Sequence, residues 1–588
     1  MINSFKMRQV ALGAALAAAA WAVPMTPAVA QAAAPGLTGN VIFFHPDGAG
    51  LNHWQAARLY FRGADGSLNW DRLPHMAAYR GHMANLITGS SHGGATTHAF
   101  GFKVDGFGSF GMDGDGTQVP PTNRAIRALS GFSGSIMREA ANAGIPVGVV
   151  NDGHIGEPGT GAFLAEVGSR AEWQEITRQM IMGRPGMGDA DPWVIMGGGE
   201  ADTLPAGATT LHRNVNQERG QPVNSRTSLR TDDLDLQALW NARGSANLSN
   251  DPMLQDDYIV VRTRAEFERL RQALQAHPRY APRVLGLFAF QDLFNDRNEE
   301  DLIQRGFVRA GVAPGMVGPA PTKDSRIMLW GDHAATEPGY NPPTLAEMTE
   351  VTLTILERAA QSRPDRGDRG DRGDRGDRED REDREDREDR GDRGPANRFF
   401  LVVEQEGIDN FGNNNNAAGM LQGMRDTDEA IGVALRHLER DRRTLIISAA
   451  DSDAGGMQVV SPAVAGVTPR TNVLAAGAAP DNAGTAAINP GAGLPAAPGP
   501  ADGVEGRATP LFVTAPDQFG QRKQFGILWS GTPDVSGGIL TRAAGMNAHL
   551  LNRTPFSKRF DNTDVYRMKY VTLFGRMLPQ ATTRAPNR

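Results

Sequence analysis

Six short runs of β-branched and apolar residues, Val41 to Phe44, Val147 to Val150, Trp193 to Met196, Val284 to Phe288, Phe399 to Val403 and Thr444 to Ser448, alternate along the chain with stretches of helical periodicity. Runs that are apolar throughout, rather than at every second residue, suit strands buried on both faces, and the interleaved helices are what cover such strands. The pattern predicts a parallel or mixed sheet with helices on both faces. In such sheets ligands bind beyond the carboxyl ends of the strands, so the chemistry is expected where the runs end.

The chain has 588 residues and no cysteine. Disulfides and thiolate metal sites are therefore excluded, and any bound ion must use oxygen or nitrogen donors. Lys6 and Arg8, the apolar run from Val10 to Val23 and the segment Ala28-Val29-Ala30 read as an export signal over residues 1–30, with a periplasmic or secreted product starting near Gln31. That segment holds two basic and no acidic residues, so its removal takes the formal charge from -7 to -9. No later run is apolar for long enough to span a bilayer, and no stable membrane insertion is expected. The modest charge forms no basic stripe, which argues against nucleic acid and for a small soluble substrate.

Residues 31–588 are read as a single catalytic domain carrying two biased stretches. Over 363–394 the chain repeats Asp-Arg-Gly and Arg-Glu-Asp, with little apolar surface to bury, and is expected to stay solvated and disordered. The Arg-Gly-Asp triplets inside it follow from the repeat itself and are not read as an adhesion signal. From about 463 to 506 an Ala/Pro/Gly-rich stretch reads as a surface insertion.

The first apolar run leads into His45-Pro46-Asp47-Gly48-Ala49-Gly50, a carboxylate at a strand end followed by glycines that let backbone approach a ligand. Asp47 is a metal-ligand candidate, although Asp-Gly alone is more often a plain turn. Further on, Gly89-Ser90-Ser91-His92-Gly93-Gly94-Ala95-Thr96-Thr97 sets serines among small residues where a helix could open. A helix N-terminus favours an anionic phosphate, but an ordinary serine N-cap accounts for the segment equally well.

With Gly101-Phe102-Lys103 following, these blocks resemble the alkaline phosphatases, and later blocks fall in the same order. They are Val147 to Val150 leading through Glu157 to Ser169-Arg170, Gly197-Gly198-Gly199, Pro343 to Thr349, Phe400 to Glu404 with Ile408-Asp409, and Ala450 to Gly456. The resemblance runs from about Asn40 to Gly545 and implies a large mixed, mostly parallel central sheet. It implies an exported, metal-dependent phosphomonoesterase that works through a phosphoserine, with Ser91 as nucleophile and Arg170 as phosphate clamp. One metal would be held by Asp409, Asn413 and Asp534, a second by Asp47, Asp451 and either Ser452 or Asp453, and a third by Asp47, Glu157, Thr160 and Glu404. The family often forms homodimers, which nothing in the sequence itself indicates. A phosphodiesterase on the same fold, or a catalytically silent phosphate- or metal-binding protein, is the alternative.

The chain departs from the family where zinc-binding histidines are expected. Asn413 stands four residues after Asp409, Ser452 follows Asp451, and Asp534 occupies the third position. Ser90 replaces an aspartate before the nucleophile, and Gly159 lacks the hydroxyl expected two residues after Glu157, although Thr160 is adjacent. Since Asn413 and Asp534 are still oxygen donors, the pattern favours a re-specified site over random loss. Oxygen-rich coordination suits calcium or magnesium, with zinc as the alternative if His45, His92, His98 or His154 swings in. His92, beside Ser91, is a candidate for proton transfer to the leaving group.

Overall fold

In the computed structural model the described residues are 38–215, 219, 222, 224–244, 257–294, 341–362, 397–461, 502–503, 506–507, 511–553 and 560–588. The export segment, the charged repeat and most of the Ala/Pro/Gly-rich stretch lie outside them.

The strands are β1 Asn40–Pro46, β2 His75–Ala78, β3 Val147–His154, β4 Val194–Gly198, β5 Tyr258–Val261, β6 Arg283–Leu287, β7 Phe400–Gln405, β8 Thr444–Ser448 and β14 Leu540–Gly545 in a central sheet. Among the described residues this sheet has nine strands in the order β2-β14-β8-β1-β7-β3-β4-β6-β5. From β8 to β5 every pairing is parallel, and β14 joins β8 and β2 antiparallel. The sheet is thus mixed and mostly parallel, and each of the six apolar runs forms a strand in it. A second, antiparallel sheet comprises β9 Gln458–Val460, β10 Asp502–Gly503, β11 Gly506–Arg507, β12 Phe512–Val513 and β13 Gln524–Leu528. The insertion expected to run to about 506 is therefore ordered at its end, because β10 pairs with β13 and β11 with β10.

The helices are α1 Leu51–Arg62, α2 Ser91–Phe100, α3 Ile136–Asn142, α4 Pro158–Gly161, α5 Trp173–Met182, α6 Leu236–Asn241, α7 Arg264–Ala276, α8 Leu345–Gln361, α9 Gly407–Asn413, α10 Ala417–Arg440 and α11 Asn562–Phe574. Reciprocal capping fixes several starts: Thr263 with Glu266 opens α7, Thr344 with Glu347 opens α8, and Asp561 with Asp564 opens α11. Helices cover both faces. On one, Lys569 of α11 lies over the rings of Phe43 and Phe400, at 4.1 and 5.7 Å from their centroids. On the other, Thr352 and Leu356 of α8 pack where a side chain on Gly148 would point. No helix of the described residues is long and apolar enough to cross a membrane.

Candidate active site

The ends of β1, β7 and β8 deliver acidic side chains to one place. β1 runs into Asp47 and turns at Gly48, whose φ of 68° favours glycine and where a Cβ would stand 2.8 Å from Asp409 Oδ1. β7 carries Glu404 and leads through Glu406 into α9, which presents Asp409 and Asn413 one turn apart. Beyond β8 come Asp451, Ser452 and Asp453, and a bridge from Asp453 to Val535 brings Asp534 alongside.

α2 brings the serine. With two glycines and two threonines in its first seven positions it is a poor helix by propensity, so burial of the whole element holds it in place. The small residues permit close approach, since a Cβ on Gly94 would lie 2.4 Å from that of Asp451. Ser90 is the N-cap, its hydroxyl accepting from Gly93 N at 3.3 Å, and Ser91 is the first helical residue, buried. The capping and functional readings of this segment thus fall on different serines.

Parallel register sets the third group. His45 pairs with Glu404 across β1 and β7, and Asn151 pairs with Glu404 across β3 and β7. Glu404 accepts from Asn151 Nδ2 at 2.5 Å, Thr160 Oγ1 at 2.9 Å and Gly159 N at 2.6 Å. Thr160 therefore reaches this group as a donor to Glu404. Glu157 accepts from Arg170 Nη2 at 3.2 Å.

The other expected ligands divide between two clusters. Asn413 Nδ2 donates to Asp409 Oδ2 at 3.0 Å and Asp534 Oδ1 at 3.2 Å, while its carbonyl accepts from Gly455 N at 3.2 Å. Ser452 lies beside Asp534. Asp451 sits 3.5 Å from His45 Nε2, and Asp453 faces His53 Nδ1 at 3.4 Å.

So many carboxylates in one buried place cannot all ionise unaided. Burial first, and then the charges of Asp451, Glu406 and Asp409, push Asp47 well above the usual carboxylate range. Burial and Glu157, Glu404 and Asp409 do the same to Glu406, and burial and Asp534 to Asp409. Burial also opposes charge on Asp451, but the adjacent His45 outweighs it and holds Asp451 low. Packing around Arg170 likewise opposes its charge, yet Glu157, Glu406, Asp47 and Asp409 together raise its pKa. The guanidinium is tied to the site through Glu157, to which Arg170 Nη2 donates.

Among the described residues, both oxygens of Asp47, Asp409 Oδ1, Glu406 Oε2, Asp451 Oδ2 and both ring nitrogens of His45 are buried with no partner in hydrogen-bond geometry. Buried polar atoms left this way are costly unless something satisfies them, and these are the hard oxygen and imidazole donors that divalent cations take. His45, Asp47 and Glu404 each offer a ligand atom within 4.8 Å of the others.

The other three histidines singled out from the sequence, His92, His98 and His154, each engage one ring nitrogen elsewhere. His98 Nε2 shares a hydrogen bond with Tyr79 Oη at 2.8 Å, and His154 Nε2 faces Asp202 at 3.1 Å. His92 Nε2 accepts from Gly108 N at 3.0 Å, and burial, then Arg170, lowers its pKa to about 3. With Nε2 occupied, Nδ1 is the one ring nitrogen of His92 left, among the described residues, without a partner for proton transfer. Two features escaped the sequence reading. Glu406 has no counterpart in the matched blocks, though an acid two residues after Glu404 was a visible signal. The pairing of His45 with Glu404 depends on register, which the linear sequence does not display.

The mostly parallel sheet and the buried acidic site beyond its strand ends define an α/β protein with a candidate metal centre. A sequence model of the family described as alkaline phosphatase matches residues 38–478, and the chain belongs to that family. It is 26% identical over 284 residues to an alkaline phosphatase of Gadus morhua, an alignment covering 44% of this chain and 53% of that protein. The chain thus spans about half the length of this curated relative. The Thermus thermophilus alkaline phosphatase structure is similar at a TM-score of 0.52 and 17% identity, covering 95% of this chain and 94% of that one, which speaks for the fold. The alkaline phosphatase from the Antarctic bacterium TAB5 is similar at a TM-score of 0.49 and 15% identity, covering 92% and 99%.

Proposed function

We propose that this protein is an exported, metal-dependent phosphomonoesterase that releases phosphate through a phosphoserine at Ser91. The observation that carries the reading is the set of unsatisfied buried carboxylate oxygens lying against the helix that Ser91 opens, with Arg170 paired to Glu157. The donor set is oxygen-rich, which favours calcium or magnesium over zinc. Asp409, Asn413 and Asp534 would hold one ion, Asp47 and Asp451 with Ser452 or Asp453 a second, and Asp47, Glu157, Thr160 and Glu404 a third. Asn413 joins the first set by turning its amide so that oxygen, rather than nitrogen, faces Asp409. Thr160 serves the third set by fixing the Glu404 carboxylate. Export follows from the N-terminal reading and suits a phosphatase acting on small esters outside the cytoplasm.

In the reaction the Ser91 oxygen forms a bond to phosphorus as it gives up its proton. The bond from phosphorus to the ester oxygen breaks, and the alcohol leaves with a proton. Water then attacks the phosphoserine, the bond to Ser91 breaks, and phosphate departs. Arg170 offers a planar fork able to hold two phosphoryl oxygens, and its pairing with Glu157 pre-orients it. The α2 N-terminus presents backbone N–H groups to the same anion. Bound divalent ions supply nucleophile activation and charge neutralisation.

The test is to strip the purified protein with chelator and titrate calcium, magnesium and zinc separately while following aryl phosphate hydrolysis. Restoration by calcium or magnesium supports the reading. Restoration by zinc alone overturns the choice of metal, preference for an aryl diester indicates a phosphodiesterase, and no turnover with any ion indicates a silent binding protein.

A further inference from the structure

We infer that His45 is a metal ligand acting with Asp47 and Glu404, and that Gly159 is the residue that makes room for it. The inference rests on the metal-dependent reading above and changes its third ion site. Four observations converge.

His45 is fully buried at the end of β1, and both of its ring nitrogens lack a hydrogen-bond partner among the described residues. A buried imidazole ordinarily satisfies at least one nitrogen, as His98 and His154 do here; His53 is a second exception, but its nearest carboxylate is Asp453 at 3.4 Å and it lies outside the group of His45, Asp47 and Glu404. The ring is also aimed at carboxylates: Nδ1 lies 3.7 Å from Glu404 Oε1 and Nε2 lies 3.5 Å from Asp451 Oδ1. Those separations are too long for good hydrogen bonds and suit donors that share an ion. Third, one ligand atom each of His45, Asp47 and Glu404 fit within 4.8 Å of one another. Ligand atoms about 2.0–2.2 Å from a common centre stand no farther apart than that.

The fourth observation explains why this chain has the arrangement. A Cβ on Gly159 would lie 1.9 Å from His45 Nδ1 and 2.3 Å from Glu404 Oε1. No side chain at 159 can coexist with the ring where it stands. The hydroxyl that the family pattern places at 159 and the imidazole found here therefore compete for one volume. An oxygen donor from α4 has been exchanged for a nitrogen donor from β1. Register keeps the new donor in place, because His45 pairs directly with Glu404 on the adjacent strand. The site becomes a mixed imidazole and carboxylate set, of a kind that accommodates manganese, zinc or cobalt as readily as magnesium.

The probe is Mn2+ added to the chelator-stripped full chain, read by pulsed EPR for coupling to nitrogen and by ion content per chain. Native protein should show a directly ligated 14N coupling that changes on labelling with 15N-histidine. The coupling should vanish in His45→Ala with the loss of one ion, or at least tenfold weaker binding, and should survive in His53→Ala. Gly159→Ala should displace the ring and also abolish it. The double variant His45→Ala with Gly159→Thr should regain the ion without the coupling. Native protein lacking nitrogen coupling, coupling that disappears in His53→Ala, or unchanged ion content and coupling in His45→Ala overturns the inference. Since the native spectrum and His53→Ala are read independently, failure of His45→Ala to fold leaves the question decided. A protein that hydrolyses phosphomonoesters without nitrogen coupling sinks this inference alone. One with the coupling but no turnover sinks the proposed function alone.

Discussion

Two adjacent serines open α2, and their different roles can be separated by single substitutions. Ser91→Ala removes the hydroxyl proposed as the nucleophile and should abolish phosphomonoester turnover while leaving the thermal midpoint close to native. Ser90→Ala removes an N-cap that accepts from Gly93 N. It should cost about 1 kcal/mol of stability and retain most activity. Activity that survives in Ser91→Ala and disappears in Ser90→Ala would transfer the nucleophile by one position. Asp47 was legible from the chain alone because it ends the first apolar run, whereas Glu404 and Asp451 were found through the family resemblance of the blocks that hold them. What stayed hidden was which atom of a side chain faces the site. Asn413 is brought to Asp409 as expected, yet its nitrogen faces the acids and its oxygen faces Gly455. His45 was visible two residues before Asp47, but only strand pairing sets it beside Glu404.

At the level of elements, strands buried on both faces announced themselves and half-exposed ones did not. β8 spans Thr444–Ser448 as its apolar run predicts, and every residue of it is buried. β2, β5 and β14, at or near the sheet edges, mix buried or partly buried positions with more exposed ones, and their short patterns do not stand out from loop. α2 is a further case, since its composition argues against a helix and its packing requires that composition. Gly94→Val should therefore be damaging even though valine is tolerated in helices. The added atoms meet Asp451, and a loss of roughly 1–3 kcal/mol with a steep fall in kcat is expected, read by thermal unfolding and steady-state kinetics. The charged repeat between α8 and β7 makes the opposite case. Deleting 364–394 and joining the ends with a few glycines should leave activity and the unfolding midpoint nearly unchanged, because a chain with little apolar content contributes little packing. Collapse of either on deletion would show the repeat to be structural.

For the molecule as a whole, the acidic centre couples stability to pH and to bound ions. Asp47, Glu406 and Asp409 have pKa values raised above those of an unfolded chain. In ion-free protein the folded state therefore holds more protons than the unfolded state over the interval between the unfolded and raised values. Stability must fall as pH rises through that interval. Cations that bind the ionised cluster offset this, contributing about 2.7 kcal/mol at a concentration one hundredfold above Kd. Chelation should lower the midpoint of unfolding, and by more at pH 8 than at pH 5. An equal drop at both values would mean that the carboxylates are not what the ions satisfy.

Chain order adds a consequence in time. β1, the first strand to leave the ribosome, ends in the middle of the sheet, flanked by β7 and β8, with Val41 opposite Phe400 on one side and Leu445 on the other. β7 ends at residue 405 and β8 at residue 448 of 588, so the first neighbour is not made until about two-thirds of the polypeptide is and the second until about three-quarters, and loop closure across such separations is slow. Among the described strands the earliest-made one must wait, unpaired and apolar, for partners that lie more than 350 residues further along the chain. Whatever shields β1 during that delay, whether a chaperone or a secretion channel that keeps the whole chain extended, becomes as necessary to a working site as any of its ligands.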